Sequence, residues 1–140
     1  MPPTDRSKTA RHWLLPLLAL AVGILGMVAV WLAAYLHFRT PSGWLALVAA
    51  LDIALMLRLA AAPAGPVRAA LAVAGTATAI ALGYWMMAAT QMGLLLGLTP
   101  LESSQRLGPV LFGELLRHST SGWDMAWAGL ALLLAWRLAR

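Results

Sequence analysis

Hydrophobic positions fall in four long runs along this chain, at about residues 13–36, 44–62, 67–98 and 123–138. Set at about 1.5 Å per residue against a hydrocarbon core of about 30 Å, the runs predict membrane-crossing helices. The fold class expected is all-α: a polytopic membrane protein of four transmembrane helices in two hairpins, forming one domain over residues 1–140.

Polar residues and helix breakers punctuate the runs. Residues 1–11 carry Pro2, Pro3, Arg6, Lys8 and Arg11 and read as a short mobile tail on the membrane surface. Pro16 is expected in the first turn of the first span, where its missing N–H costs little. Trp13 marks one boundary of that span and Trp31 and Tyr35 the other, as an aromatic belt would. Pro41 and Gly43 make a tight turn, and Pro63, Gly65 and Pro66 end the second run. The third run is longer than one crossing needs, so it should tilt, kink or project beyond the lipid.

Residues 99–120 are neither a span nor a simple turn. Thr99-Pro100-Leu101-Glu102 has the form of a capping box with proline at the first helical position. Gly108-Pro109 should break that helix, and a second is expected over residues 110–118. Leu111, Leu115 and Phe112 would lie on one face of it, with Glu114 and Arg117 on another. Two short amphipathic helices at the membrane interface are the expected result. In the last span Asp124 falls in the first turn, where a carboxylate favours the helix dipole.

One stretch is echoed. Ser42-Gly43-Trp44 and Arg58-Leu59-Ala60 bracket the second run, and Ser121-Gly122-Trp123 and Arg137-Leu138-Ala139 bracket the fourth at the same spacing. Because both hairpins run in the same direction, the echo suggests an internal repeat about a pseudo-two-fold axis along the membrane normal. The first and third runs share no comparable identity. Small residues four apart, namely Ala19 with Gly23, Ala29 with Ala33, and Gly75, Ala79 and Gly83, would let helix backbones approach closely; Gly93 and Gly97 add a GxxxG.

Composition strengthens the membrane reading. Hydrophobic residues make up 61% of the 140 and charged residues 11%, against about 45–50% and about 25% in soluble domains. The net charge of +5 comes from basic residues that flank the apolar runs, which suits anionic lipid headgroups and not nucleic acid. The absence of cysteine excludes disulfides, thiolate metal sites and cysteine nucleophiles. The first run is too long for a signal-peptide core of about 7–15 residues and lacks a small-residue cleavage pattern, so it reads as a retained helix. Arg6, Lys8, Arg11, Arg58, Arg68, Arg137 and Arg140 flank one side, and Arg39, Arg106 and Arg117 the other. A bacterial-type inner (plasma) membrane location with both termini cytoplasmic is expected, placing residues 99–120 outside.

Candidate chemistry is sparse. Asp52 lies near the middle of the second run, where a carboxylate costs about 2.5–3.5 kcal/mol on insertion scales and marks a functional position by default. It serves either as a proton or cation site in a transport path or as a polar contact, to a partner subunit or to a threonine or glutamine of the third run. Thr90 and Gln91 are the intramembrane candidates for that contact. Glu102, Arg106, Glu114, Arg117 and His118 are the candidates in the interfacial segment. His37 and His118 precede the two Ser-Gly-Trp starts and with Glu114 would make a two-histidine, one-carboxylate set; that count arises often by accident, so no metal or cofactor is assigned. No GxSxG, phosphate loop, HExxH or GxGxxG occurs, and no catalysis is expected. The role that fits best is a noncatalytic accessory, assembly or immunity-type subunit, in lipid and docked on a membrane protein partner or on itself. The alternative is a small homo-oligomeric transporter or channel using Asp52.

Overall fold

The computed structural model describes residues 6–140, with side chains described from His12 onward. Those residues form six helices and no strand: α1 (Arg6–Phe38), α2 (Leu45–Leu59), α3 (Pro66–Leu96), α4 (Pro100–Arg106), α5 (Pro109–Ser119) and α6 (Gly122–Ala139). Their ends follow local chemistry. At the start of α4 the Thr99 N–H donates to Glu102 Oε2 at 3.0 Å and the Glu102 N–H to Thr99 Oγ1 at 3.3 Å, completing the expected capping box. At the start of α6 the Ser121 N–H donates to Asp124 Oδ2 at 2.9 Å. Asp124 therefore acts by direct bonding as well as through the dipole.

Three expectations about the ends of α1 and α3 need correction. The tail expected over residues 1–11 is helical from Arg6, since no breaker separates Arg6 from the apolar run and Lys, Ala and Arg are good helix formers; Pro2 and Pro3 lie outside the described residues. Pro16 is consequently inside α1, where it cannot donate to the His12 carbonyl. Gly93 and Gly97 do not form a helix-pairing seam. Gly97 adopts a left-handed φ of 69° and its N–H returns to the Gly93 carbonyl, a helix stop; a Cβ on Gly93 would come within 2.7 Å of the Leu98 carbonyl oxygen and Ser103 Oγ.

α3 is the hub and packs against each of the other five helices. It runs parallel to α1: Leu20 meets Gly75, and Trp31 covers Gly83. α2 and α6 are likewise parallel and side by side. Gly43 abuts Asp124 at one end, and the Arg58 guanidinium donates to the Leu138 carbonyl at the other. A two-fold axis exchanging the hairpins would convert the observed α2–α3 contact into an α1–α6 contact. α1 and α6 do not pack together among the described residues, so the packing lacks the symmetry the echo suggests.

Small residues let these helices close. Gly75, Ala79 and Gly83 of α3 are all buried. In α1 the inward stripe is Gly23, Met27, Trp31 and Tyr35, spaced four apart, whereas Ala29 and Ala33 face outward. Trp31 is therefore not an interfacial belt residue. It is 1% exposed, lies on the flat surface left by Gly83, and packs at 5.4 Å and 56° against the Tyr84 ring.

α1 and α3 contain stretches long and apolar enough to cross a bilayer, His12–Phe38 and Pro66–Leu96. α2, with 15 residues, and α6, with 18, span only about 22 and 27 Å as helices. Leu14, Leu15, Leu18, Val22 and Leu25 of α1 are exposed, so its apolar surface is turned away from the core. α3 continues past the end of α1: thirteen residues separate Gly83 from Leu96 and seven separate Trp31 from Phe38, an overhang of about 9 Å. At this end of α3, Ala88, Ala89 and Leu107 form a second small core with Trp85, Met92, Phe112 and Leu115 around it. Phe112 packs on Trp85 at 4.9 Å, while Leu111 points outward. α5 thus turns Phe112 and Leu115 toward α3, not Leu111.

Candidate functional site

Asp52 occupies the edge of α2 that faces α1. It is half-buried, and a Cβ on Gly23 would stand 3.3 Å from its Oδ2, 3.4 Å from Met56 and 3.7 Å from Ile53. The missing side chain at Gly23 therefore makes the recess in which the carboxylate sits. No hydrogen bond or ionic partner reaches Asp52 among the described residues. Its neighbour Ile53 is fully buried and packs at Gly75, which sets the depth of Asp52 at the waist where α1, α2 and α3 meet.

The contacts expected for it from α3 do not form. Gln91 lies sixteen residues beyond Gly75 on the same helix, about 24 Å away along its axis, and accepts instead from Ser119 Oγ of α5 at 3.3 Å. Thr90 Oγ1 donates to the Met86 carbonyl of its own helix at 2.7 Å, the back-bonding open to any helical threonine. α3 thus brings Thr90 and Gln91 to the overhang and leaves Asp52 alone at the waist.

The residues of the interfacial segment are brought to one end of the molecule but not to one point. Glu102, Arg106, Glu114, Arg117 and His118 are all exposed. His118 Nδ1 lies 2.9 Å from the carbonyl oxygen of Glu114, while His37 packs edge-on against Phe38 at 4.9 Å, on a helix that does not touch α5. Among the described residues no three metal-type side chains gather.

Glu102 is engaged locally. Hydrogen bonds from the Thr99 backbone N–H and hydroxyl hold its carboxyl below the ordinary value of 4.5, with a smaller pull from Arg106. A depressed folded pKa contributes stability that is fully present above the unfolded value and lost as pH falls through the folded one. Protection of the Thr99 amide, which donates to the Glu102 carboxylate, should therefore hold at neutral pH and weaken below about pH 4. Glu102→Gln should flatten that dependence; wild-type protection that is indifferent to acid would show that the carboxylate does not hold the cap.

At the opposite end lies a cluster that the sequence marked only as positive flanks. Arg58 donates to the Leu138 carbonyl. Arg68 reaches the Ala139 carbonyl at 2.7 Å, the Arg140 carbonyl at 3.1 Å and the Ala62 carbonyl at 3.1 Å. The last carbonyls of a helix have no partners of their own, and here two guanidinium groups from other helices supply them, on the side where the helix dipole favours cations. The signal available in the sequence was the placement of Arg68 in the first turn of an otherwise apolar helix. The partner carbonyls, 71 and 72 residues away, were not legible there.

Apolar grooves run beside α2 and α6. One is lined by Leu51, Ala54, Leu55, Leu138 and Arg58, another by Leu47, Leu130, Leu133, Leu134 and Arg137, and a third by Trp123, Ala126, Trp127 and Leu130. The last two share Leu130. No protein-family model, no curated protein and no solved structure matches this chain.

Proposed function

We propose that this protein is a noncatalytic, multi-pass inner-membrane subunit that docks a partner membrane protein along the α1–α2 edge, with Asp52 as the polar contact. The observation that carries this reading is the half-buried carboxylate in the Gly23 recess, unpartnered among the described residues. In lipid such a group is costly, and a polar contact from a neighbouring helix is the ordinary way to satisfy it. Four spans are part of the proposal. α2 and α6 pair side by side, and each has an exposed tryptophan at one end, Trp44 or Trp123, and an arginine at the other. With their flanking turns they would cross beside α1 and α3. Arg58, Arg68, Arg137 and Arg140 gathered at one end support a cytoplasmic placement of that end by the positive-inside bias.

A transport route through one copy has no support in the packing, because Trp31, Ile53, Leu57, Met87 and Thr76 fill the space between the helices. Transport would need several copies. The deciding experiment is gentle extraction of the full chain from native membranes, followed by composition and mass. A stoichiometric second membrane protein is expected, and Asp52→Leu should reduce its recovery by about tenfold, near 1.4 kcal/mol and within the range of interhelical polar contacts in membranes. A homo-oligomer alone, or recovery indifferent to Asp52→Leu, would overturn the docking reading, and the former would shift the weight to transport.

A further inference from the structure

The α6 face offers more than a surface for generic lipid. Trp123 and Trp127 line one end of its trough, Leu130 is common to the two grooves, and Leu133, Leu134 and Arg137 continue it. Fourteen residues separate Trp123 from Arg137, so the trough is about 21 Å long, with a hydrocarbon lining and a cation at one end only. The lower part is an open groove of about 420 Å³ between Leu47 of α2 and the α6 face.

The charge around its mouth is one-sided. Arg58 and Arg68 are committed to carbonyls of α6, whereas Arg137 is exposed and has no side-chain partner among the described residues. The acids with described positions, Asp52, Glu102, Glu114 and Asp124, lie at the waist or at the other end of the bundle. This end therefore holds four guanidinium groups and, among the described residues, no acidic side chain. An occupant complementary to the trough is apolar along its length and anionic at one end.

We infer that the α6 trough binds an anionic phospholipid, with an acyl chain along Leu130, Leu133 and Leu134 and the headgroup phosphate at Arg137. Guanidinium pairs well with phosphate, in a bidentate geometry that a lysine ammonium does not reproduce. The inference rests on the membrane reading above, and it adds a chemically defined ligand and a place for it. Arg58 and Arg68 are already spent on the end of α6, and of the two remaining arginines Arg137 is the one that lines the groove and is placed to select the headgroup.

The test uses the full chain purified in mild detergent, stripped of lipid, and titrated with phosphatidylglycerol or phosphatidylcholine, with bound lipid counted by native mass spectrometry. The wild type should prefer phosphatidylglycerol by roughly fivefold or more, the factor expected for one basic side chain at a lipid surface. Arg137→Gln should abolish that preference, Arg137→Lys should keep part of it, and Arg106→Gln at the other end should leave it intact. Leu133→Trp, which fills the trough, should weaken both lipids. Equal binding of the two lipids by the wild type, or a preference that survives Arg137→Gln, would overturn the site. So would inorganic phosphate competing as well as the phospholipid, which would mean an anion site without a groove, or a doubled mass relieved by Leu133→Trp, which would mean that a second copy covers the face. Recovery of the chain in the aqueous fraction after alkaline extraction of membranes would instead defeat the membrane reading itself.

Discussion

Trp31→Ala should lower the unfolding midpoint of the purified chain in detergent more than any other single truncation in the bundle. Trp31 is the largest of the fully buried side chains and fills the space between α1 and α3 over Gly83. Phe and Trp truncations in protein cores cost about 3–5 kcal/mol. In detergent the share that comes from transfer out of water is reduced, but the lost contacts and the cavity remain, so a value near the lower end is expected. Trp31→Phe should cost far less, because it keeps a ring over Gly83 and removes an indole N–H that has no acceptor among the described residues.

The same contact predicts a coupling. A Cβ on Gly83 would lie 2.9 Å from two carbons of the Trp31 indole, a rigid group with nowhere to turn. Gly83→Ala should cost about 1–3 kcal/mol by overpacking. In the Trp31→Ala background the same change should be neutral or stabilising, since the space is open and alanine is the better helix former. A double-mutant cycle measures this directly. Additive costs would mean that the two residues do not meet as described.

Asp52→Leu should stabilise the isolated chain while it weakens partner recovery. A mid-span aspartate costs about 2.5–3.5 kcal/mol on insertion scales; Asp52 is half-exposed, so that figure is an upper bound on the gain. Denaturant titration of the purified subunit in bicelles gives the sign. A loss of stability would reveal a partner for the carboxylate within its own bundle and remove the basis for docking through it. Stabilisation together with unchanged partner recovery would count against docking at this residue while leaving the unsatisfied carboxylate intact.

Much of the fold was legible before any coordinates, because helices are local. The capping box at Thr99, the breakers at Pro63, Gly65 and Pro66 and the stop at Gly108-Pro109 act within a turn of themselves. The helix boundaries they imply agree with the structure to within a few residues, apart from the N-terminal extension to Arg6 and the ends of α2. That second run was expected to reach residue 62 but ends at Leu59, with Ala61 left-handed at φ 55°. The candidate site was legible only in part: Asp52 stood out as an acid in an apolar run, and its recess at Gly23 did not.

The sequence by itself determined the helices, the apolar runs, the placement of arginines at their ends and the isolated acid, since each depends on residues close together in the chain. The tertiary structure alone decided which faces meet. In the proposed membrane setting an apolar helix gains nothing by hiding one hydrophobic face over another, so periodicity does not reveal which side is inside. Shape decides instead: Trp31 went inward because Gly83 leaves room for it, Gly93 received α4, and Gln91 was carried to Ser119 by the overhang of α3. For the same reason Asp52 lies against a glycine with no partner among the described residues, and Arg58 and Arg68 close the end of α6 while Arg137 stays exposed beside them.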